Sequence, residues 1–131
     1  MLVVAAALID RDGRVLVQQR PPGKPMAGLW EFPGGKVEAG EVPEAALVRE
    51  LAEELGIAFD ASALVPLTFA SEPLGERQLV LLLYTLREWE GVAQAHHATA
   101  LRWVKPGELR GMEMPPADLP FIGVLEGLGS A

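Results

Sequence analysis

The sequence predicts an α/β fold on two observations. Short apolar runs of strand length, rich in Val, Leu and Ile, recur along the chain. Two longer stretches carry the composition and end signals of helices, one near the middle and one near the C-terminal end. The 131 residues are enough for one domain with a sizeable core, and the chain shows no repeat, low-complexity segment or interdomain linker.

The predicted strands lie between segments rich in turn-forming residues. The turn "DRDG" separates the first two strands, which should therefore form a hairpin. The Pro- and Gly-rich residues 20–28 are predicted to be a loop, and "SEPLGE" should connect two later strands. In chain order the predicted strands are Leu2–Ile9, Arg14–Gln19, Leu29–Phe32, Leu64–Ala70, Arg77–Glu88 and Leu101–Val104, and a last helix should span Ala117–Leu128.

The helix near the middle of the chain is predicted to run from Pro43 to Leu55. Proline lacks the backbone N–H that would be unpaired at a first helical position. Glu41 and Glu44 lie at the positive end of the helix dipole, where acidic residues are favoured. Gly56 follows the last helical residue and is expected to be a left-handed C-cap.

Three glutamates in this helix, Glu50, Glu53 and Glu54, are the main functional signal in the sequence. Helical spacing predicts that they face away from an apolar stripe made of Val48, Leu51, Ala52 and Leu55. Like charges at this spacing cost a helix about 0.2–0.5 kcal/mol per pair, and only Arg49 offers a counter-charge within the helix. Two interpretations stay open: a solvated acidic surface, and a site where Mg²⁺ or Mn²⁺ converts the repulsion into ligation.

The segment "PGGK", residues 33–36, is predicted to be a loop just before the helix. Paired glycines, here Gly34 and Gly35, allow positive φ and a close approach of the backbone to a ligand. The segment lacks the spacer and the Ser or Thr of a Walker A phosphate loop. Taken alone it indicates a turn as readily as a binding site.

Composition excludes several function classes. The net charge of −7 disfavours a protein that grips nucleic-acid backbones, where basic patches dominate affinity. The chain has no cysteine, which excludes disulfides, a thiol nucleophile and a cysteine-based zinc site and is compatible with a reducing cytoplasm. The start "MLVVAAAL" is short and lacks a basic leader, so it is interpreted as a strand and not as a signal peptide. No segment is long enough to span a membrane.

One spacing pattern resembles a known family. Gly35 is followed after five residues by Glu41, after seven more by "REL", and then by "AEELGI", which fits the Nudix hydrolase signature at each of its nine defined positions. The chain from "VVAAALIDRDGRVLVQQRP" through "LWEFPGGK" to "WEG" and "PPADLP" is similar to the MutT-like nucleoside triphosphate pyrophosphohydrolases. The resemblance implies a single Nudix domain over residues 1–131, with a mixed β-sheet sandwiched between α-helices.

The resemblance also implies a metal site. Carried over by position, Glu50 and Glu54 would be the main ligands of Mg²⁺, which Mn²⁺ could replace, and Glu53 would serve a further ion or its waters. The carbonyl of Gly34 would complete the site, and Arg49 would pair with a carboxylate and orient the helix. A plain surface arginine is the alternative for Arg49. The ion would neutralise phosphate charge and activate the water that attacks phosphorus in line.

The resemblance implies the nucleotide contacts in the same way. Arg20 and Lys36 would contact the phosphates, and Gly35 would belong to the same binding site. The residues around the base would be Val4, Ala6, Phe32, Arg77 and Asp118. Two of them have an alternative role. Phe32 could stack on a base or belong to the core, and Asp118 could read the base or cap the last helix. Both 8-oxoguanine and cytosine offer N–H groups to a carboxylate, so the preferred base stays open.

One position departs from the family pattern. Where MutT-like relatives often carry another metal-binding or basic glutamate, this chain has His97, inside "QAHHAT". A histidine can bind Mn²⁺ or act as a base. Both His96 and His97 can equally be ordinary loop residues, so the identity of the general base is open.

The function implied is hydrolysis of a nucleoside triphosphate to the monophosphate and pyrophosphate. An oxidised purine such as 8-oxo-dGTP is the expected substrate, which would make the protein a cytoplasmic sanitiser of the nucleotide pool that prevents mutation and so serves DNA repair. CTP or dCTP hydrolysis, a non-catalytic ligand-sensing module and a lesion-reading domain that binds DNA directly are the alternatives. We expect a monomer or weak homodimer without stable nucleic-acid or membrane binding.

Overall fold

A computed structural model describes residues 1–128. Its strands are β1 (Leu2–Leu8), β2 (Val15–Gln19), β3 (Trp30–Glu31), β4 (Gly34–Lys36), β5 (Val65–Leu74), β6 (Arg77–Leu86) and β7 (Ala100–Val104). Its α-helices are α1 (Pro43–Leu55) and α2 (Leu119–Leu128), and short 3₁₀ helices span Ala61–Ala63, Pro106–Gly111 and Pro116–Asp118. None of the helices within residues 1–128 has the length and hydropathy needed to cross a bilayer.

The strands form two sheets with helices on both sides. The four-stranded sheet has the order β4-β1-β6-β5 and is mixed, because β1 and β6 are parallel while the other pairs are antiparallel. The three-stranded sheet, β3-β2-β7, is antiparallel. Alternate residues of β1 point to opposite faces: Val4 and Ala6 join the core beneath α1, whereas Ala5 and Ala7 join the core beneath α2. The predicted fold class is therefore confirmed.

The predicted hairpin between the first two strands is wrong. Only an isolated bridge between Ile9 and Val15 joins them, because β1 lies between β4 and β6 while β2 lies between β3 and β7. The physical reason is burial: residues 4–8 of β1 are at most 3% exposed. A strand that is covered on both faces lies in the centre of its sheet, and its sequence is a continuous apolar run.

The other element boundaries differ from prediction mainly at "PGGK". Its last three residues form strand β4, antiparallel to β1 with Gly34 opposite Ala5, and are not a loop. A Cβ on Gly34 would lie 1.9 Å from the Val4 carbonyl oxygen, so only glycine allows this pairing distance. The fourth predicted strand continues to Leu74, and α2 begins at Leu119 after a 3₁₀ turn.

Helix α1 has the predicted ends but a different buried face. Pro43 is its first residue, and Gly56 has the left-handed φ of 70° expected of the C-cap. The buried residues are Ala46, Leu47, Leu51 and Leu55. Of the predicted stripe, Val48 is half-buried and Ala52 is exposed. Since the true stripe follows the line through residues 47, 51 and 55, Glu50 and Glu54 border it and do not face away, and only Glu53 points to solvent.

Candidate active site

Glu54 is a half-buried carboxylate in the last turn of α1. Its Oε2 accepts hydrogen bonds from the Gln18 side chain of β2, at 3.2 Å, and from the backbone N–H of Gly34, at 3.1 Å. Burial raises the pKa of Glu54 to about 8, although the bond from Gln18 opposes this, and the negative charges of Glu50 and Glu31 raise it further. The protein alone therefore does not offset the free-energy cost of ionising Glu54.

Glu50 lies one turn earlier on the same side of α1, against strand β4. A Cβ on Gly35 would be 2.3 Å from the carboxyl carbon of Glu50, so this glycine makes room for the side chain. Arg49 Nη1 donates to Glu50 Oε1 at 2.8 Å. Two glycines of β4 thus serve the two carboxylates: Gly34 donates its N–H to Glu54, and Gly35 leaves space for Glu50.

Arg49 links α1 to the segment before it. Its Nε and Nη2 donate to the two carboxylate oxygens of Glu41, at 2.9 and 3.0 Å, and Nη2 also donates to the Lys36 carbonyl at 3.2 Å. These bonds from Arg49 hold the pKa of Glu41 at about 2. Glu53, whose side chain is 54% exposed, lies 3.7 Å from the same guanidinium. A bidentate pair of this kind fixes orientation as well as charge.

The donor set suits a hard divalent cation that shares its shell with phosphates. Within residues 1–128 no three acidic or histidine side chains stand close enough together to enclose a metal ion. Mg²⁺ is characteristically held by one or two carboxylates, with waters and substrate phosphates completing the octahedron. Glu50 and Glu54 supply two such carboxylates, and the charge of Glu50 is among the causes that raise the pKa of Glu54, after burial.

A second acidic group lies around Asp118, at the start of α2. Asp118 is 4% exposed, and its carboxylate accepts no hydrogen bond within residues 1–128, from the first turn of α2 or elsewhere. Helix capping, one of its two predicted roles, is thus not seen. Burial, assisted by the charge of Glu31, raises the pKa of Asp118 to about 8, against the opposing effect of Arg20.

Glu31 connects the two acidic groups. Its charge acts on both Glu54 and Asp118, and its Oε2 accepts from Arg20 Nε at 2.9 Å. Burial also raises the pKa of Glu31, although Arg20 opposes the effect. Arg20 is further engaged with the Pro25 carbonyl at 3.2 Å. The charge of Glu31, on β3, is therefore coupled both to Glu54 on α1 and to Asp118 at the start of α2.

Three residues expected to touch the base are enclosed in the cores. Val4 and Ala6 have no exposed surface and pack beneath α1, so their side chains could meet a ligand only if the core opened. Phe32 is 3% exposed, with its ring centroid 6.1 Å from that of Phe121. The core role for Phe32, which the sequence left as an alternative, is the one seen here.

The remaining predicted residues are exposed and stand apart from these contacts. Lys36 ends β4 and Arg77 begins β6, and within residues 1–128 neither side chain has a hydrogen-bond or ion-pair partner. His97 is exposed in the loop before β7 and likewise has no such partner in the described part of the chain. Its neighbour His96, in contrast, contacts the end of α1 through Nδ1 and the Glu53 carbonyl.

Sequence reasoning missed two residues of the site, Gln18 and Glu31. Gln18 is 7% exposed in the strand "VLVQQ", and Glu31 sits between two aromatic residues in "LWEF". A polar or charged side chain inside a short apolar strand either faces solvent or has a hydrogen-bond or ion-pair partner. This rule could have singled out Gln18 and Glu31 in the sequence. The pairing of β2 with β3, which places Gln18 opposite Glu31, depends on long-range contacts that the local pattern does not show.

Comparisons with known proteins identify the family of this chain. The NUDIX domain family model matches residues 1–123. The chain is 40% identical over 131 residues to the CTP pyrophosphohydrolase of Escherichia coli strain K12, covering all of this chain and 96% of that protein. It is 40% identical over 123 residues to the putative 8-oxo-dGTP diphosphatase 2 of Mycobacterium tuberculosis, covering 94% and 86%. The solution structure of the E. coli ORF135 protein superposes with a TM-score of 0.86 at 38% identity, covering 98% and 90%.

The chain belongs to the Nudix family of hydrolases, within its nucleoside triphosphate pyrophosphohydrolases. Nudix hydrolases generally use divalent metals. The resemblance found in the sequence is thereby confirmed, and so is the expectation that the protein is an enzyme.

Proposed function

We propose that this protein is a Mg²⁺-dependent hydrolase that cleaves nucleoside triphosphates to the monophosphate and pyrophosphate. The observation that carries the proposal is the pair of carboxylates on α1, Glu50 and Glu54, held against the two glycines of β4. An ion bound there would supply charge neutralisation for the phosphates and a more acidic water. Mn²⁺ is a plausible substitute, since both ions favour carboxylate oxygens.

The chain's own residues then have separate tasks. Glu50 and Glu54 would hold the ion, and Arg49 keeps the Glu50 carboxylate in place through its 2.8 Å bond. Glu53 is the acid of the helix that solvent reaches, which suits a residue that binds a further ion or orients a water. Lys36 and Arg77 are exposed cations that could meet the phosphates. His97 remains a candidate base.

We assign recognition of the base to Asp118. Because Asp118 is only 4% exposed, a bound nucleotide would have to uncover it. With its pKa raised to about 8, this carboxyl group is largely neutral at pH 7 and offers one donor and one acceptor side by side. The N7–H and O6 of 8-oxoguanine present the complementary pair, whereas N7 of guanine is an acceptor only. Cytosine, with its amino group beside N3, also matches. On the N7 edge this favours 8-oxo-dGTP over dGTP, whereas N1–H and O6 of guanine offer the same pair on the other edge. Cytosine nucleotides stay a second candidate.

The second candidate has support of its own. The relative named a CTP pyrophosphohydrolase matches this chain along its whole length at 40% identity, and the relative named a putative 8-oxo-dGTP diphosphatase reaches the same identity. The proposed metal site would serve either activity. The choice between them rests on the surroundings of Asp118.

The test is kcat/KM with Mg²⁺ for 8-oxo-dGTP, dGTP, CTP and dCTP, for the wild type and for Asp118→Asn. We expect 8-oxo-dGTP to exceed dGTP by at least about tenfold. A preference for cytosine nucleotides would support the proposed release of pyrophosphate but not the proposed removal of oxidised purine nucleotides. No turnover of any of the four with Mg²⁺ or Mn²⁺ would refute the proposal, and tight nucleotide binding without turnover would establish a ligand sensor instead.

A further inference from the structure

The C-terminal end of α1 is closed by a segment distant in sequence. The last four carbonyls of a helix have no partner within it, and here each receives one. The Gly56 N–H donates to the Ala52 carbonyl at 3.1 Å. The carbonyls of the next three residues, Glu53, Glu54 and Leu55, are all served by residues 94–96.

His96 serves two of these carbonyls. Its backbone N–H donates to the Glu54 carbonyl at 3.1 Å, and its ring Nδ1 lies 3.2 Å from the Glu53 carbonyl oxygen. Since a carbonyl oxygen only accepts, the ring nitrogen bonds to it as N–H, which assigns the proton to Nδ1. The backbone of Gln94 covers the third carbonyl, that of Leu55, at 3.0 Å.

The ring of His96 also packs against the C-cap. A Cβ on Gly56 would lie 2.7 Å from Cε1 of His96, so the ring occupies the space that any side chain at this position would need. Just beyond, Ala58 and Glu90 form a two-way backbone bridge with N···O distances of 3.1 and 2.8 Å. The segment before β7 is thus bound to the end of α1 at several consecutive points.

His96 holds the last turn of α1, which carries the carboxylates of Glu53 and Glu54. Glu54 reaches Gly34 and Gln18 from this last turn, at 3.1 and 3.2 Å, and Glu53 projects from it to solvent. We propose that His96 is a positioning residue of the hydrolase described above: its side chain fixes the last turn of α1 and so the place of both carboxylates. The inference rests on the proposed function.

The experiment compares His96→Ala, His96→Asn and the control Gln94→Ala. The amide nitrogen of Asn can donate from the position of Nδ1, whereas Ala leaves the Glu53 carbonyl without that donor. Gln94 contributes only its backbone N–H, so its substitution retains the contact to Leu55. The readouts are kcat and KM for the preferred nucleotide, Mn²⁺ affinity without nucleotide, and hydrogen exchange of residues 51–57.

We expect His96→Ala to lower kcat about tenfold with KM changed less than about twofold, because misplaced carboxylates affect the reacting atoms more than substrate binding. Mn²⁺ should bind at least about threefold more weakly, and residues 51–57 should exchange faster. His96→Asn should restore all of these to within about twofold of the wild type, and Gln94→Ala should match the wild type throughout.

Two results would overturn the inference. One is His96→Ala with wild-type kcat and Mn²⁺ affinity, and the other is His96→Asn as impaired as His96→Ala although folded to the same extent. A wild type that binds Mn²⁺ but hydrolyses no nucleotide would refute the proposed function instead. In that case Mn²⁺ affinity and hydrogen exchange of the variants still decide whether His96 holds the carboxylate turn.

Discussion

Glu54→Gln separates the stability of this fold from its chemistry. Gln is nearly isosteric with Glu and can still accept the hydrogen bond from the Gly34 N–H, but it cannot ionise. The carboxylate that the proposed metal site requires is thereby lost, while the burial of a charged group is relieved. We expect the variant to lose metal-dependent hydrolysis and, without metal, to become more stable at alkaline pH.

The magnitude follows from the pKa of Glu54. Burial raises it from 4.5 to about 8 in the folded protein. Because the folded state holds this proton more tightly than the unfolded chain, the free energy of unfolding falls as pH rises between these two values. The full shift corresponds to about 5 kcal/mol, which water entering the ionised site reduces. We expect Glu54→Gln to add about 1–3 kcal/mol at pH 8.5 and little at or below pH 4.5.

The assay is urea unfolding followed by fluorescence of the three tryptophans, with a chelator present, at pH 5 and pH 8.5. The control is Glu53→Gln on the same turn, where the side chain is 54% exposed and a change within about 0.5 kcal/mol is expected. Equal midpoints for wild type and Glu54→Gln at pH 8.5 would refute the reasoning, because burial of Glu54 would then carry no cost.

Three further predictions concern the rest of the site. Gly35→Ala places a Cβ 2.3 Å from the carboxyl carbon of Glu50 and should lower kcat at least about tenfold, whereas Gly111→Ala, with nothing within 4 Å, should behave as wild type. For Asp118, ionisation as pH rises through about 8 leaves an acceptor for N7–H of 8-oxoguanine but only repels N7 and O6 of guanine. The ratio of kcat/KM for 8-oxo-dGTP to that for dGTP should therefore rise, and Asp118→Asn should remove this pH dependence. His97→Ala should cut turnover at least about tenfold and change the preference between Mg²⁺ and Mn²⁺; wild-type rates would remove His97 from the mechanism.

Local signals predicted the ends of helix α1 well. Proline at a first helical position and glycine at a C-cap act within one or two turns, so the ends of α1 were predictable from Pro43 and Gly56. Its buried face was predicted less well, because Ala46 is buried and Ala52 is exposed. Helical periodicity predicts which residues share a face of α1. Which of two neighbouring faces is buried depends on how α1 packs on β1.

The contacts that join the two acidic groups were beyond local prediction. Glu31 and Asp118 are 87 positions apart, and their electrostatic coupling arises only when β3 and the start of α2 converge. The pairing of β1 with β6 and not with β2 is likewise non-local. Every residue of β1 is apolar, so its sequence indicates burial but not which strand lies beside it. The resemblance to the Nudix family supplied the predicted role of Asp118, while the coupling of Glu31 to Asp118 and Glu54 became visible only through the structure.

The most direct test of the central claim is ³¹P NMR of the products from the preferred nucleotide, with wild type and Glu54→Gln followed in parallel in Mg²⁺. If Glu50 and Glu54 form the site of pyrophosphate release, the wild type yields monophosphate and pyrophosphate, and Glu54→Gln, although folded, yields neither at a measurable rate. Release of orthophosphate by the wild type, or pyrophosphate release by Glu54→Gln at the wild-type rate, would contradict the claim.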